Sequence, residues 1–241
     1  MAGHSKWANI KHKKERSDAK RGKIFTKIGR ELYVAVRQGG PDPEGNSKLK
    51  DVIAKAKAAN MPNDNITRSI KKASGAASGE NYDEMVYEGY GPSGVAVIVE
   101  SMTDNKNRTA ADIRHIFDKF GGNLGTSGCV SYMFDRKGVI IIEKKDRLDE
   151  DTVMMDALEA GADDVVTEEE YFEILTAVSD FSHVREELEK VGYEFLEAQL
   201  QMVPQTMVKL DEKHSSTMEK LIDLLEDDDD VQNIYHNWET T

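Results

Sequence analysis

Charge reverses along this chain. Of the 32 Lys and Arg among its 241 residues, 18 fall in residues 1–72, against only 7 of the 45 Asp and Glu. That segment has a balance of +11 and residues 73–241 a balance of −24. The overall −13 alone describes an ordinary acidic protein. The asymmetry is more restrictive: one end suits a polyanion, and the rest suits staying off it. With 39% hydrophobic and 32% charged residues, the chain fits two or three small, surface-rich domains better than one large core.

Other features narrow the class. The single cysteine, Cys129, excludes an internal disulfide and a Cys-based zinc site, and fits a reducing cytosol. It reads as a small buried hydrophobe rather than a reactive thiol. No apolar run approaches the roughly 20 residues that span a bilayer. The start, Met1 to Trp7, is polar and basic, unlike a secretory signal. A cytoplasmic protein that makes no membrane contact is expected.

Residues 1–16 read as an irregular basic arm, with Lys6, Lys11, Lys13, Lys14 and Arg16 against Glu15 and no apolar period. A helix is expected from Asp18, as N-cap, to Gln38, stopped by Gly39-Gly40-Pro41. At about 100° per residue, Ile24, Phe25, Ile28, Leu32, Ala35 and Val36 share one face. Lys20, Lys23, Lys27, Arg30 and Arg37 share the opposite one. Leu49, Val52, Ile53 and Ala56 mark a second helix over Asn46–Ala59. A third begins near Pro62 with Ile66, Ile70 and Ala73 inward. Ala73 to Gly79 reads as a linker.

Beyond it the pattern alternates strands and helices. Strands are expected at Met85–Tyr90, Val95–Met102, Cys129–Phe134 and Gly138–Glu143, with a helix from Arg108 to Phe120 capped by Asn107. Residues 136–200 read as a complete β-α-β-β-α-β unit. The segments on either side are each too short to close alone, and pairing them gives a split domain around an insert. The fold class is α+β with three domains: a helical bundle over 1–78, a split α/β domain over 79–134 plus 204–241, and an inserted ferredoxin-like domain over 135–203.

The basic end carries the chemistry. Affinity for nucleic acid grows with the number of phosphates neutralised, and residues 1–30 offer ten Lys and Arg. The candidate contacts are Lys6, Trp7, Lys11, Lys13, Lys14, Arg16, Lys20, Arg21, Lys23, Lys27 and Arg30. Trp7 reads equally as a stacking platform for an unpaired base and as a hydrophobic staple. The acidic domains offer a surface to a basic protein partner. Gly121 to Gly128 lacks the Gly-Lys-Ser/Thr ending of a phosphate loop and follows a helix, so it reads as a helix stop and turn. Glu226 to Asp230 reads as a solvated stop to the last helix. No nucleophile elbow, His-Glu-x-x-His or metal-ligand spacing is present, and the expectation is a non-enzymatic protein without metal or cofactor.

The opening Met1 to His12, Asp18 to Lys23 and Phe25-Thr26-Lys27 resemble the YebC/PmpR family. So do Tyr87 to Pro92, Asp104 to Thr109, Gly121 to Gly128 and Val231 to Asn237. The resemblance implies a helical N-terminal domain with two α/β domains, one inserted in the other. It implies a probable transcriptional regulator that binds DNA. It also implies an alternative, a ribosome- or rRNA-associated translation factor that relieves stalled elongation, since relatives include a mitochondrial translational activator. On either reading Lys6, Lys11, Lys20, Arg21, Lys23 and Lys27 are the implied nucleic-acid contacts.

Overall fold

The computed structural model describes the backbone of residues 2–75, 81–145 and 148–239, and the side chains of 21–75, 81–145 and 148–239. It opens with three helices: α1 (Ala2–Gly39), α2 (Ser47–Ala58) and α3 (Asn63–Ser74). Ile28, Leu32, Leu49, Ala56, Ile66 and Ala73 form their shared core. This is the apolar set that the helical period selects.

Asn46 joins two of these helices. Its buried side chain accepts from the Leu49 amide, capping α2. The Asn46 side-chain NH2 donates to the carbonyls of Ala35 and Gly40, tying the end of α1 to the start of α2. Gly39 allows this approach, since a Cβ there would lie 2.6 Å from the Asn46 side chain.

Two antiparallel four-stranded sheets follow. The chain first makes β1 (Asp83–Tyr90), β2 (Ala96–Thr103), α4 (Lys106–Lys119) and β3 (Asn123–Leu124). It then makes β4 (Phe134–Glu143), α5 (Glu150–Glu159), β5 (Asp164–Thr167), β6 (Tyr171–Thr176), α6 (Phe181–Val191) and β7 (Glu197–Pro204). It returns through β8 (Val208–Lys209), α7 (Glu212–Asp227), β9 (Val231–His236) and β10 (Trp238–Glu239). The first sheet has the order β3-β1-β2-β9, so its last strand arrives only after the second sheet is complete. The second has the order β5-β6-β4-β7, the arrangement of a β-α-β-β-α-β unit. Strands β8 and β10 form a short parallel pair.

Period-two alternation sorts β2. Val97 and Val99 face α4 and α7, meeting Ile113, Phe117, Met218, Leu221 and Leu225. Ala96 and Ile98 face the other way, onto Val130, Phe134 and Tyr235. In the second sheet Ile140, Ile142, Phe172 and Ile174 pack on Val153, Ala157, Val184 and Leu188 of α5 and α6. The fold is therefore helical at the N-terminus and α/β beyond it, as expected.

Several local expectations change. Residues 2–16 are not an irregular arm: α1 runs unbroken from Ala2, without a cap at Asp18. The segment has no apolar period, but it is rich in Lys, Arg and Ala and contains no Pro. Extending an existing helix also costs far less than nucleating one. The cap of α4 is Asn105, not Asn107, and its side chain accepts from the Arg108 amide. The two strands expected at Cys129–Phe134 and Gly138–Glu143 are one strand, β4, preceded by a short 3-10 turn at Ser131–Met133. Gly138 marks close packing there rather than a turn, because a Cβ would strike Thr176 and Phe181. Residues 76–79 of the expected linker lie outside the described residues.

Candidate nucleic-acid interface

The cationic face of α1 has an acidic counterpart within the chain. Lys23 Nζ donates to the carbonyl of Asp227 at 2.8 Å, and Lys27 Nζ to that of Glu226 at 2.8 Å. These are terminal carbonyls of α7, the negative end of its dipole. Arg30 donates to the carbonyls of Met102 and Asp229, and to the Asp230 carboxylate at 2.7 Å. Its guanidinium also lies over the Tyr82 ring, 5.3 Å from the centroid. The run Glu226 to Asp230 is thus not a solvated stop. Its partner is the basic helix at the other end of the chain.

Asp230 is the centre of this contact. Its carboxylate is buried and accepts from Arg30, from Arg108 at 2.7 Å, from Thr109 at 2.7 Å and from Thr103 at 3.2 Å. Burial alone would raise its pKa, but the hydrogen bonds from Arg108, Thr109 and Arg30 outweigh it and hold the group at about 2. Lys27 behaves oppositely. Burial pushes its pKa down to about 8, and the attraction of Glu226, Asp228 and Asp229 only partly offsets this.

A second carboxylate explains the glycine-rich turn. Glu88 is buried, and its oxygens accept from the amides of Gly128, Val130 and Ser131 at 2.8–2.9 Å. Burial opposes the charge, yet the three N–H donors hold this carboxyl below its usual range. Such a cluster of amides is an anion nest, and the chain fills it with its own side chain. Around it, Gly89 and Gly122 let β3 and β1 approach closely, since a Cβ at either would strike backbone. Cys129 is half-buried beside Glu88, and burial and then that charge push its thiol pKa up.

The candidate contacts therefore divide. Lys23, Lys27 and Arg30 meet at the α7 terminus. Arg21 is exposed, one residue from the glycine at position 22. The side chains of Lys6, Trp7, Lys11, Lys13, Lys14, Arg16 and Lys20 lie outside the described residues, although their backbone belongs to α1. Lys106 and Arg108 pair with Asp83 and with Asp104 and Asp230. Sequence reasoning missed Asp230 and Glu88 as organising groups. Both belong to acidic or motif segments whose partners are distant in sequence. Among the described residues, no helix is long and apolar enough to cross a membrane.

Comparison with known proteins agrees with this architecture. Residues 5–76 match the TACO1/YebC protein N-terminal domain, and residues 82–238 match the TACO1/YebC second and third domain. A probable transcriptional regulatory protein of Acetivibrio thermocellus is 71% identical over 239 residues, covering 99% of both chains. One from Caldicellulosiruptor saccharolyticus is 62% identical over 239 residues, with the same coverage. The crystal structure of a conserved hypothetical protein from Aquifex aeolicus superposes with a TM-score of 0.83 at 48% identity, covering 92% of this chain and 91% of that one. The family matches take in both the basic helical end and the two sheets with their acid run, and on that ground the chain belongs to the TACO1/YebC family.

Proposed function

We propose that this protein is a non-enzymatic regulator of gene expression that binds nucleic acid through the first half of α1. The observation that carries the reading is the continuity of α1 from Ala2 to Gly39. Lys6, Lys11, Lys13, Lys14, Arg16, Lys20 and Arg21 are spaced along one helix, and Ala2 to Gly22 spans about 30 Å. The base of that helix is held by Lys23, Lys27 and Arg30 on the α7 terminus. Cations on a held rod present a charge array without ordering a loose arm first, which lowers the entropic cost of binding. The relatives are named probable transcriptional regulatory proteins, which supports transcriptional control; duplex DNA is the partner proposed for it. Contacts to phosphate and shape serve structured RNA equally, so ribosomal RNA is the second reading.

The test is in-cell crosslinking with sequencing of both the DNA and the RNA recovered. The control variant is Lys11→Glu/Lys13→Glu/Lys14→Glu, which leaves the α7 contact intact. Reversing Lys23 and Lys27 instead would confound lost binding with a broken internal contact. Discrete promoter DNA, lost in the variant, supports the transcriptional reading. Ribosomal RNA at one site, lost in the variant, replaces it with a translation factor. Recovery that is identical in wild type and variant refutes both.

A further inference from the structure

Charge in the bundle lies somewhere the sequence pattern does not emphasise. Lys23, Lys27 and Arg30 are taken up by the α7 terminus. On α2, Lys48 pairs with Glu84, Lys50 with Glu186 and Lys55 with Glu31. Asp51 of the same helix binds Ser182 and Arg185 of α6. Helix α2 therefore spends Lys48, Lys50 and Asp51 against the α/β part of the molecule and Lys55 against α1.

Helix α3 does not. Arg68 and Lys71 are exposed, and neither forms an ion pair with a described residue. They lie three residues apart on one face, opposite Ile66, Ile70 and Ala73, with Cβ atoms about 5–6 Å apart. The acid of this helix, Asp64, sits in the first turn and pairs with neither. Ser69, between them in sequence, lies against α1: a Cβ on Gly29 would be 3.9 Å from its hydroxyl. Arg37 and Lys57 are also exposed, but each stands alone near the end of its own helix.

We infer that Arg68 and Lys71 on α3 form a second phosphate-contact face, beside α1, that takes the backbone of the same nucleic acid. This rests on the nucleic-acid reading above and adds residues to it. An exposed, unpaired cation pair beside a cationic helix, in a chain of net charge −13, places two further counterion-releasing contacts on the polyanion.

The experiment is a salt titration of the full chain by fluorescence anisotropy. The probes are a short duplex DNA and an RNA hairpin with the same number of phosphates. Wild type is compared with Arg68→Gln/Lys71→Gln and with Lys48→Gln/Lys50→Gln, which removes the same charge from paired sites. On duplex DNA, losing two contacts flattens the slope of log affinity against log salt by about 2. The fall in affinity between about 50 and 200 mM salt then shrinks about tenfold relative to wild type. Flattening on one probe alone identifies the source of the phosphates, and flattening on both shows a contact to backbone common to the two. The control keeps the wild-type slope, and melting temperatures confirm that all three forms are folded. A salt-dependent wild type whose slope is unchanged by Arg68→Gln/Lys71→Gln overturns this inference alone. Equal flattening in the control overturns it too, since net charge then explains the effect. A wild type with no salt-dependent binding to either probe overturns the nucleic-acid reading, and this inference with it.

Discussion

Asp230 shows how one side chain can hold together parts of the chain that the sequence keeps far apart. It accepts from Arg30, 200 residues away, and from Arg108, 122 residues away, while Thr103 and Thr109 meet it from the end of β2 and the start of α4. Removing one partner of a buried charge network strands the others, so Asp230→Asn should cost about 3 kcal/mol in denaturant unfolding. The pH dependence has a definite sign. The folded pKa of about 2 lies below the ordinary 3.8, so the stabilisation is complete above pH 3.8 and is lost as pH falls toward 2. The difference is worth about 2 kcal/mol. The gap in stability between wild type and Asp230→Asn should therefore narrow on acidification through that window. A gap that stays constant from neutral pH to below pH 3 would contradict the role given to the carboxylate.

Among the elements, α1 combines two functions in one helix. Its second half is amphipathic and builds the bundle core, while its first half continues as helix without an apolar stripe of its own. Gly22 sits near the junction, in the helix interior, and nothing lies within 4 Å of a Cβ placed there. Gly22→Ala should stabilise α1 by about 0.5–1 kcal/mol, seen as greater helicity by circular dichroism and a higher melting temperature. Loss of stability would mean that the helix bends at this position. Lys27 tests the contact with α7. Its folded pKa of about 8 lies below the ordinary 10.5, so the unfolded chain binds more protons between those values. Stability contributed by this group should rise as pH increases from 8 to 10.5. Denaturation midpoints of wild type and Lys27→Met, followed over that range, should diverge in favour of wild type; parallel curves would rule out the buried ammonium.

At the scale of the whole molecule, charge separation organises the fold and underlies the proposed binding. The N-terminal region meets the remainder at the α7 terminus, at β1 through Lys48 and Glu84, and at α6, where Lys50 pairs with Glu186 and Asp51 with the buried Arg185. If about six cations contact phosphate, affinity for duplex DNA should fall about a thousandfold between 50 and 200 mM salt. A titration of the intact chain that is flat over this range would remove electrostatics as the mechanism.

The sequence by itself determined most of the elements and the face that each one buries. Periodicities of 3.6 and 2 place Ile28 and Leu32 inward on α1, and Val97 and Val99 inward on β2, because those patterns are local and each element must bury one face. The order of strands and helices was enough to recognise the β-α-β-β-α-β unit. The motif at the start of the chain was enough for the family. Tertiary structure decided which charges are used internally. Lys23, Lys27 and Arg30 look like surface cations on any helical wheel, and Glu226 to Asp230 looks like a solvated tail. Their meeting depends on how a helix from residues 2–39 packs against one from residues 212–227, with the whole second sheet and three strands of the first between them in the chain. Glu88 is the same case, a motif carboxylate whose three amide donors lie about 40 residues away. Long-range electrostatic pairing leaves no periodic trace in a sequence, because a charge records neither the direction nor the distance of its partner.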